Sequence, residues 1–243
     1  MKTGLVSVTF RQKTPLEIIS LCRKAGLDGI EWGTDVHITD AQIAKEVKAA
    51  MEGLAVISLG SYYRIGEGQD FARVLASAVA MGAPNIRVWA GSLEPDRMTA
   101  EGRAVAVQDA KRIADMAAEK GIDVSFEYHG NTLTATHASA LQLMEEIDKP
   151  NFYLYWQPIY EREQSVRLAE IEQLGQMGKL KNVHVYTWRG IERYPLALDE
   201  QPWRERLAAA APYADAALLE FVKEDAEAQF FADAALLKQL AEK

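Results

Sequence analysis

The amino-acid sequence predicts an α/β protein, a closed (β/α)8 barrel formed by one domain over residues 1–243. Three observations carry the prediction. Apolar runs of strand length alternate strictly with segments of helical spacing, eight of each. Each strand–helix pair occupies about thirty residues, the size of one βα unit. No linker, low-complexity tract or charge block divides the chain. Strict alternation implies parallel strands joined by right-handed crossovers, and eight such units in 243 residues suit closure. An open doubly wound sheet is the competing architecture. It would want a glycine-rich phosphate loop after an early strand, and IGEGQDF (65–71) lacks the third glycine.

Taken in order, the first strand is read at GLVSVTF (4–10). A helix follows: Thr14, Pro15 and Glu17 start it, Ile18, Leu21, Cys22 and Ala25 recur at i, i+3, i+4 and i+7, and Gly26 stops it. The next strands are DGIEWG (28–33), AVISLGSY (55–62), NIRVWAG (85–91) and DVSFEYH (123–129). The longest helical segment, residues 99–121, lies before the last of these and also ends on a glycine. In FYLYWQPIY (152–160), Phe152, Leu154 and Trp156 alternate with Tyr153, Tyr155 and Gln157 until Pro158 stops the ladder. NVHVYTW (182–188) and AALLEFV (216–222) complete the strands, and Phe230, Ala234 and Leu237 mark the final helix.

Composition narrows the function classes. The chain is 49% hydrophobic and 26% charged, as globular proteins are. No apolar run reaches the roughly 18 residues that span a bilayer, so no membrane partner is expected. MKTGLVSVTF enters a strand pattern directly, without the apolar core of a signal peptide. The single cysteine, Cys22, excludes an internal disulfide and suits a reducing cytoplasm. A net charge of −8 argues against nucleic acid as a partner. A small uncharged or metal-bridged ligand fits better.

In such a barrel the chemistry sits at the C-terminal ends of the strands. Those ends carry Glu31, Tyr62, Trp89, Glu127 with His129, Gln157, His184 with Tyr186 and Trp188, and Glu220. Side chains alternate along a strand. Glu127 therefore shares the inner face with Ser125 and His129, and His184, Glu220 and Gln157 point inward between apolar neighbours. By the same phase Arg87, Trp89 and Trp188 face inward, whereas Trp32 and Trp156 pack under helices. Arg87 suits either a substrate anion or an ion pair within the barrel. His37 and His137 read as surface residues. Two carboxylates converging in a buried mouth repel one another unless a cation or a proton intervenes. Oxygen donors with a single imidazole suit Mg²⁺, Mn²⁺ or Co²⁺.

These residues carry a family resemblance. Through LCRKAGLDGIEWG, AVISLG, AMGAPNIRVWAG, GIDVSFEYHG, LYWQP, NVHVYTW and LLEFV, the chain resembles the sugar phosphate isomerase/epimerase family with its xylose isomerase-like TIM barrel. The resemblance implies a divalent metal held by Glu, Asp, His and Glu of the fifth to eighth strands. The matching positions are Glu127, Gln157, His184 and Glu220, with Gln157 in place of the Asp. It implies that Glu127 and Glu220 are catalytic, passing a proton on and off a carbon next to a carbonyl through a metal-stabilised enediolate. The expected activity is a sugar isomerase or epimerase. Alternatives are an inositol-type keto-sugar dehydratase on the same site and a non-catalytic sugar-binding barrel. An endonuclease on abasic DNA would need a multi-metal cluster, which four histidines do not supply. Substrate contacts are expected from Glu31, Trp89, His129, Trp188 and Arg189. A histidine common in the family three residues after the sixth-strand ligand is Tyr160 here. Members often pair barrels, so a homo-oligomer is expected. Replacing Asp by Gln157 takes a divalent ion with its four ligands from net −1 to neutral, which predicts weaker metal binding.

Overall fold

The computed structural model describes residues 1–159 and 162–242. Its strands are β1 (Lys2–Val6), β2 (Gly29–Gly33), β3 (Ala55–Arg64), β4 (Asn85–Trp89), β5 (Asp123–Glu127), β6 (Phe152–Trp156), β7 (Leu180–Val185), β8 (Thr187–Arg189), β9 (Glu192–Tyr194) and β10 (Ala216–Leu219). All but β8 and β9 close into a parallel barrel in the order β1-β10-β7-β6-β5-β4-β3-β2, the predicted (β/α)8 fold. The helices that cover it are α1 (Pro15–Ala25), α2 (Ala41–Ala50), α3 (Phe71–Met81), α4 (Ala100–Ala118), α5 (His137–Ile147), α6 (Gln164–Gln176), α7 (Glu200–Ala210) and α8 (Glu227–Ala241). Helix α1 begins as the sequence indicates: Thr14 and Glu17 form a reciprocal capping box, and Gly26 ends the helix at a φ of 65°.

Two apolar layers hold the barrel. Between strands and helices, Trp32, Phe126 and Trp156 pack among residues such as Ile18, Leu143 and Leu237, so both tryptophans face outward as their phase predicts. Inside the barrel a smaller cluster joins Val6, Val8, Ile57, Tyr155, Ala216 and Leu218. The interior is filled so closely that a Cβ on Gly4 would lie 2.7 Å from the Gly29 carbonyl oxygen. Beside this cluster lies a polar layer. Asn85 donates to Ser58 (3.0 Å) and to the Tyr155 hydroxyl (3.1 Å), and accepts from Ser125 (2.7 Å). Asn182 donates to the same hydroxyl at 2.6 Å. Apart from Asn182 Oδ1, which has no hydrogen-bond partner among the described residues, these buried groups satisfy one another and form the base on which the mouth is built.

Several strand ends differ from the sequence reading, and three of them reshape the mouth. The first run stops at Val6, and Ser7–Phe10 coil into a buried 3-10 turn. There the Ser7 hydroxyl accepts the Gly33 N–H at 2.9 Å and lies 2.9 Å from His37 Nδ1. His37 is consequently buried, with Nε2 3.1 Å from the Lys13 carbonyl, and is not the surface residue expected. The seventh run breaks at Tyr186, after which β8 and β9 pair antiparallel. Gly190, at a φ of 59°, lets that segment fold back on itself. The last run ends at Leu219 because Phe221 adopts a φ of 55°, which no strand continues. His137 starts α5 half-buried, bridging the Tyr128 hydroxyl (2.6 Å) and Gln173 (2.9 Å), again unlike the exposed residue expected. Among the described residues no helix is long and apolar enough to cross a membrane.

Candidate active site

Alternation on β2, β4 and β5 brings Glu31, Arg87 and Glu127 to the inner face, all buried. Arg87 bridges the two acids. Its Nε donates to Glu31 Oε1 at 2.7 Å and its Nη1 to Glu127 Oε1 at 2.6 Å. Of the two roles open to Arg87, the structure shows the internal ion pair. Gly60 makes room for it: a Cβ there would lie 2.7 Å from Arg87 Nη2 and 2.8 Å from Glu31 Oε1. Burial pushes the Glu31 carboxyl up, but Arg87 and then His184 outweigh it and hold the group at about 2.

His184 sits beneath the mouth, fully buried. Its Nδ1 lies 2.9 Å from Gln157 Oε1, 3.4 Å from Glu220 Oε2 and 3.6 Å from Glu127 Oε2. Its Nε2 lies 3.6 Å from Glu31 Oε1. The Gln157 amide has two partners: Nε2 donates to the Tyr128 carbonyl, which turns Oε1 toward the imidazole.

The donor set suits a divalent cation. One ligand atom from each of Glu127, His184 and Glu220 falls within 4.8 Å of the others. An ion with bonds of about 2.1 Å places neighbouring donors about 3 Å apart and opposite ones about 4.2 Å apart. A second observation agrees. His184 Nε2 and Glu31 Oε2 are buried with no hydrogen-bond partner among the described residues. Ligation through Nδ1 would leave the proton on Nε2, directed at Glu31, and metal-bound imidazoles usually donate their second N–H to a carboxylate in this way.

A cavity of about 550 Å³ opens above this cluster, with Arg87, Glu127, Gln157 and Glu220 among its lining residues. Tyr62, Trp89 and His129 line one side; Trp89 stacks on Tyr62 at 5.6 Å and meets His129 at 4.2 Å. Trp188 also lines it, 5.6 Å from the ring of Phe221. Trp89, His129, Trp188 and Arg189 thus all line the cavity. Glu31 does not: it lies below the cavity, behind Arg87, because the ion pair holds it there. Tyr160 lies outside the described residues. Sequence reasoning missed Arg167, Asp199 and Arg206, which line the cavity from α6, the turn before α7, and α7. Strand-end logic does not see helix residues, and no local pattern marks them. Arg189 forms a two-point pair with Asp199, at 2.6 and 3.0 Å.

The cluster's titration predicts how the protein responds to pH. Burial raises Glu220 to about 7, with His184 opposing and Glu127 adding to the rise. Burial lowers His184, but Glu220 and Glu31 outweigh it and its pKa ends above the usual value of 6.5. Both groups bind protons more tightly folded than unfolded. Their contribution is therefore full below about pH 4.5 for Glu220 and 6.5 for His184, and fades as pH rises through the folded values. Chelator-treated protein is expected to lose a few kcal/mol, on the order of 2–3, between pH 5 and 8. Mn²⁺ should suppress the loss. Thermal melts across that range, with and without the ion, are the measurement; a flat profile would contradict the coupling.

The family model of the xylose isomerase-like TIM barrel matches residues 19–189. A curated 3-dehydroshikimate dehydratase of Bacillus anthracis is 25% identical over 166 residues, which cover 62% of this chain and 59% of that protein's length. Among solved structures, the probable 3-DHS dehydratase AsbF of Bacillus anthracis superposes with a TM-score of 0.79 at 20% identity, covering 98% of this chain and 99% of its own. A D-psicose 3-epimerase determined in the presence of D-fructose superposes with a TM-score of 0.73 at 17% identity, over 100% of both chains. The eight-stranded barrel and the match over residues 19–189 together show that the chain belongs to the xylose isomerase-like TIM barrel family.

Proposed function

We propose that this protein is an isomerase or epimerase of a small sugar or sugar derivative, working by proton transfer at a carbon next to a carbonyl. One observation carries the reading: the carboxyls of Glu127 and Glu220 approach the same imidazole nitrogen, at 3.6 and 3.4 Å, on the floor of a substrate-sized cavity. A divalent cation held by Glu127, Gln157, His184 and Glu220 would supply Lewis-acid polarisation of the carbonyl.

The chain's own groups divide the remaining work. Glu220 faces the cavity beside His184 and is placed to take and return the substrate proton. Glu127 is pinned through Oε1 by Arg87, which leaves Oε2 facing the cluster from the other side. Removal by one carboxylate and return by the other to the opposite face gives epimerisation; return to the adjacent carbon gives isomerisation. Glu31 is a positioning residue that orients His184. Trp89, His129 and Trp188 offer ring faces to the substrate's C–H bonds. Tyr186, which donates to the Pro158 carbonyl at 3.3 Å, closes the cavity beside them.

A second reading is favoured by the curated dehydratase relative. The same abstraction, followed by loss of a β-hydroxyl that leaves as water on a proton from the other carboxyl, dehydrates a hydroxy-ketone. Incubation with Mn²⁺ and a panel of ketoses and hydroxy-ketones in D₂O separates the two. Deuterium at the carbon next to the carbonyl is expected for the first reading and dehydration without obligatory labelling for the second, each lost in Glu220→Gln. Isomer exchange marks the first reading and an unsaturated product the second. Neither exchange nor an unsaturated product with any member of the panel would reject both.

A further inference from the structure

We propose that the cavity takes an acidic substrate, a small polyhydroxylated compound whose carboxylate or phosphate-ester group seats on Arg206 and Arg167. The proposal rests on reading the cavity floor as the reacting centre.

The wall formed by α6, α7 and β8 brings three guanidinium groups, Arg167, Arg189 and Arg206, to one cavity. Asp199 lines the same wall and is engaged by Arg189 at two points. Arg206 is the informative member. Only 4% of it is exposed, yet it pairs with no carboxylate among the described residues. Its Nε donates to a neutral partner, Gln164 Oε1, at 2.9 Å. Gln164 is itself tied to α7 by Nε2 bonds of 3.0 Å to the Pro202 carbonyl and to Glu205. The Arg206 guanidinium lies over the Trp203 ring, 4.9 Å from its centroid. Gln164 and Trp203 thus fix the plane of the fork. Its two Nη groups make no hydrogen bond among the described residues, and the residue lines the cavity.

Asp199 and Glu205 lend Arg206 a negative field without bonding its outer donors, and an anion in the cavity would supply the missing bonded partner. The planar fork with free Nη donors matches the paired oxygens of a carboxylate or phosphate. Arg167 flanks it from α6, half-buried. The two feel each other: burial first, and then Arg167, pull Arg206 down to about 10. An anion between them would relieve both effects. The strand order puts this wall over β6, β7 and β10, whereas Trp89 stands at the end of β4, three strands round the barrel from β7. A substrate lying across the floor would present its acid to the arginines, its reacting carbon to Glu127 and Glu220, and its C–H face to Trp89.

Calorimetry with three probes on one six-carbon polyol chain tests this: D-glucitol, D-gluconate and D-glucitol 6-phosphate. Each is titrated into Mn²⁺-saturated and chelator-treated protein. At least one acid should bind tenfold or more tighter than D-glucitol in both states, and which one does so distinguishes carboxylate from phosphate. The advantage should vanish in Arg206→Met and persist in part in Arg206→Lys, which keeps a point charge. In the wild type, raising chloride should weaken the acid and spare D-glucitol. That arm decides the matter even if Arg206→Met does not fold. Equal binding of all three probes, no measurable binding of either acid, or an unchanged preference in Arg206→Met would overturn the assignment. Loss of D₂O exchange with acid preference intact would reject the catalytic reading alone.

Discussion

Arg87→Met is expected to cost about 3–5 kcal/mol of stability at pH 7, the range for a buried charge cluster that loses one partner. Urea unfolding of chelator-treated protein is the measurement. The size follows from what Arg87 faces: Glu31 Oε1 at 2.7 Å and Glu127 Oε1 at 2.6 Å, both in buried carboxyls, with Glu220 close enough to add to the field. Methionine fills comparable volume but leaves those acids to repel one another or take up protons. Mn²⁺ should recover part of the loss in the variant, because the ion would supply positive charge to Glu127 and Glu220. Arg87→Lys should fall between, since an ammonium restores the charge but not the two-point fork. If Arg87→Met unfolds at the same urea concentration as the wild type, the ion-pair network is not what holds the mouth together.

Gln157→Asp should tighten Mn²⁺ binding about tenfold or more. A restored charge at coordination distance is worth several kcal/mol at an effective dielectric of about 20, and desolvating the new carboxylate offsets much of it. The structure adds a cost that runs the other way. The Gln157 amide donates to the Tyr128 carbonyl while its oxygen faces His184. Aspartate cannot donate, so the variant should bind metal better yet be less stable without it, by about 1–3 kcal/mol. Mn²⁺ titration followed by electron paramagnetic resonance reads the first effect, and melts in chelator read the second. Unchanged Mn²⁺ affinity would remove Gln157 from the set of donors.

Much of the site was legible because strand periodicity is rigid. Once Glu127 is assigned inward, a period of two carries the inner face through Ser125 and His129, and the same logic orients Gln157, His184 and Glu220. Trp32 and Trp156 face outward, toward the helices, for the same reason. The failures cluster where the chain leaves the ladder. The turn at Ser7–Phe10 buried His37, Gly190 turned one predicted strand into a hairpin, and Phe221 ended another. Trp188 still reaches the cavity, although it does so from β8 and not from the barrel.

The amino-acid sequence alone determined the barrel and the faces of its strands, because hydrophobic alternation and βα spacing are local properties that leave one efficient way to bury the apolar residues. Only the tertiary structure decided which charges meet. Glu31 and Arg87 are 56 positions apart, and Arg206 approaches Arg167 from another helix across the cavity wall. Pairings of that kind depend on how strands and helices are registered around a closed cylinder, and Coulomb energy is set by those distances rather than by any pattern along the chain.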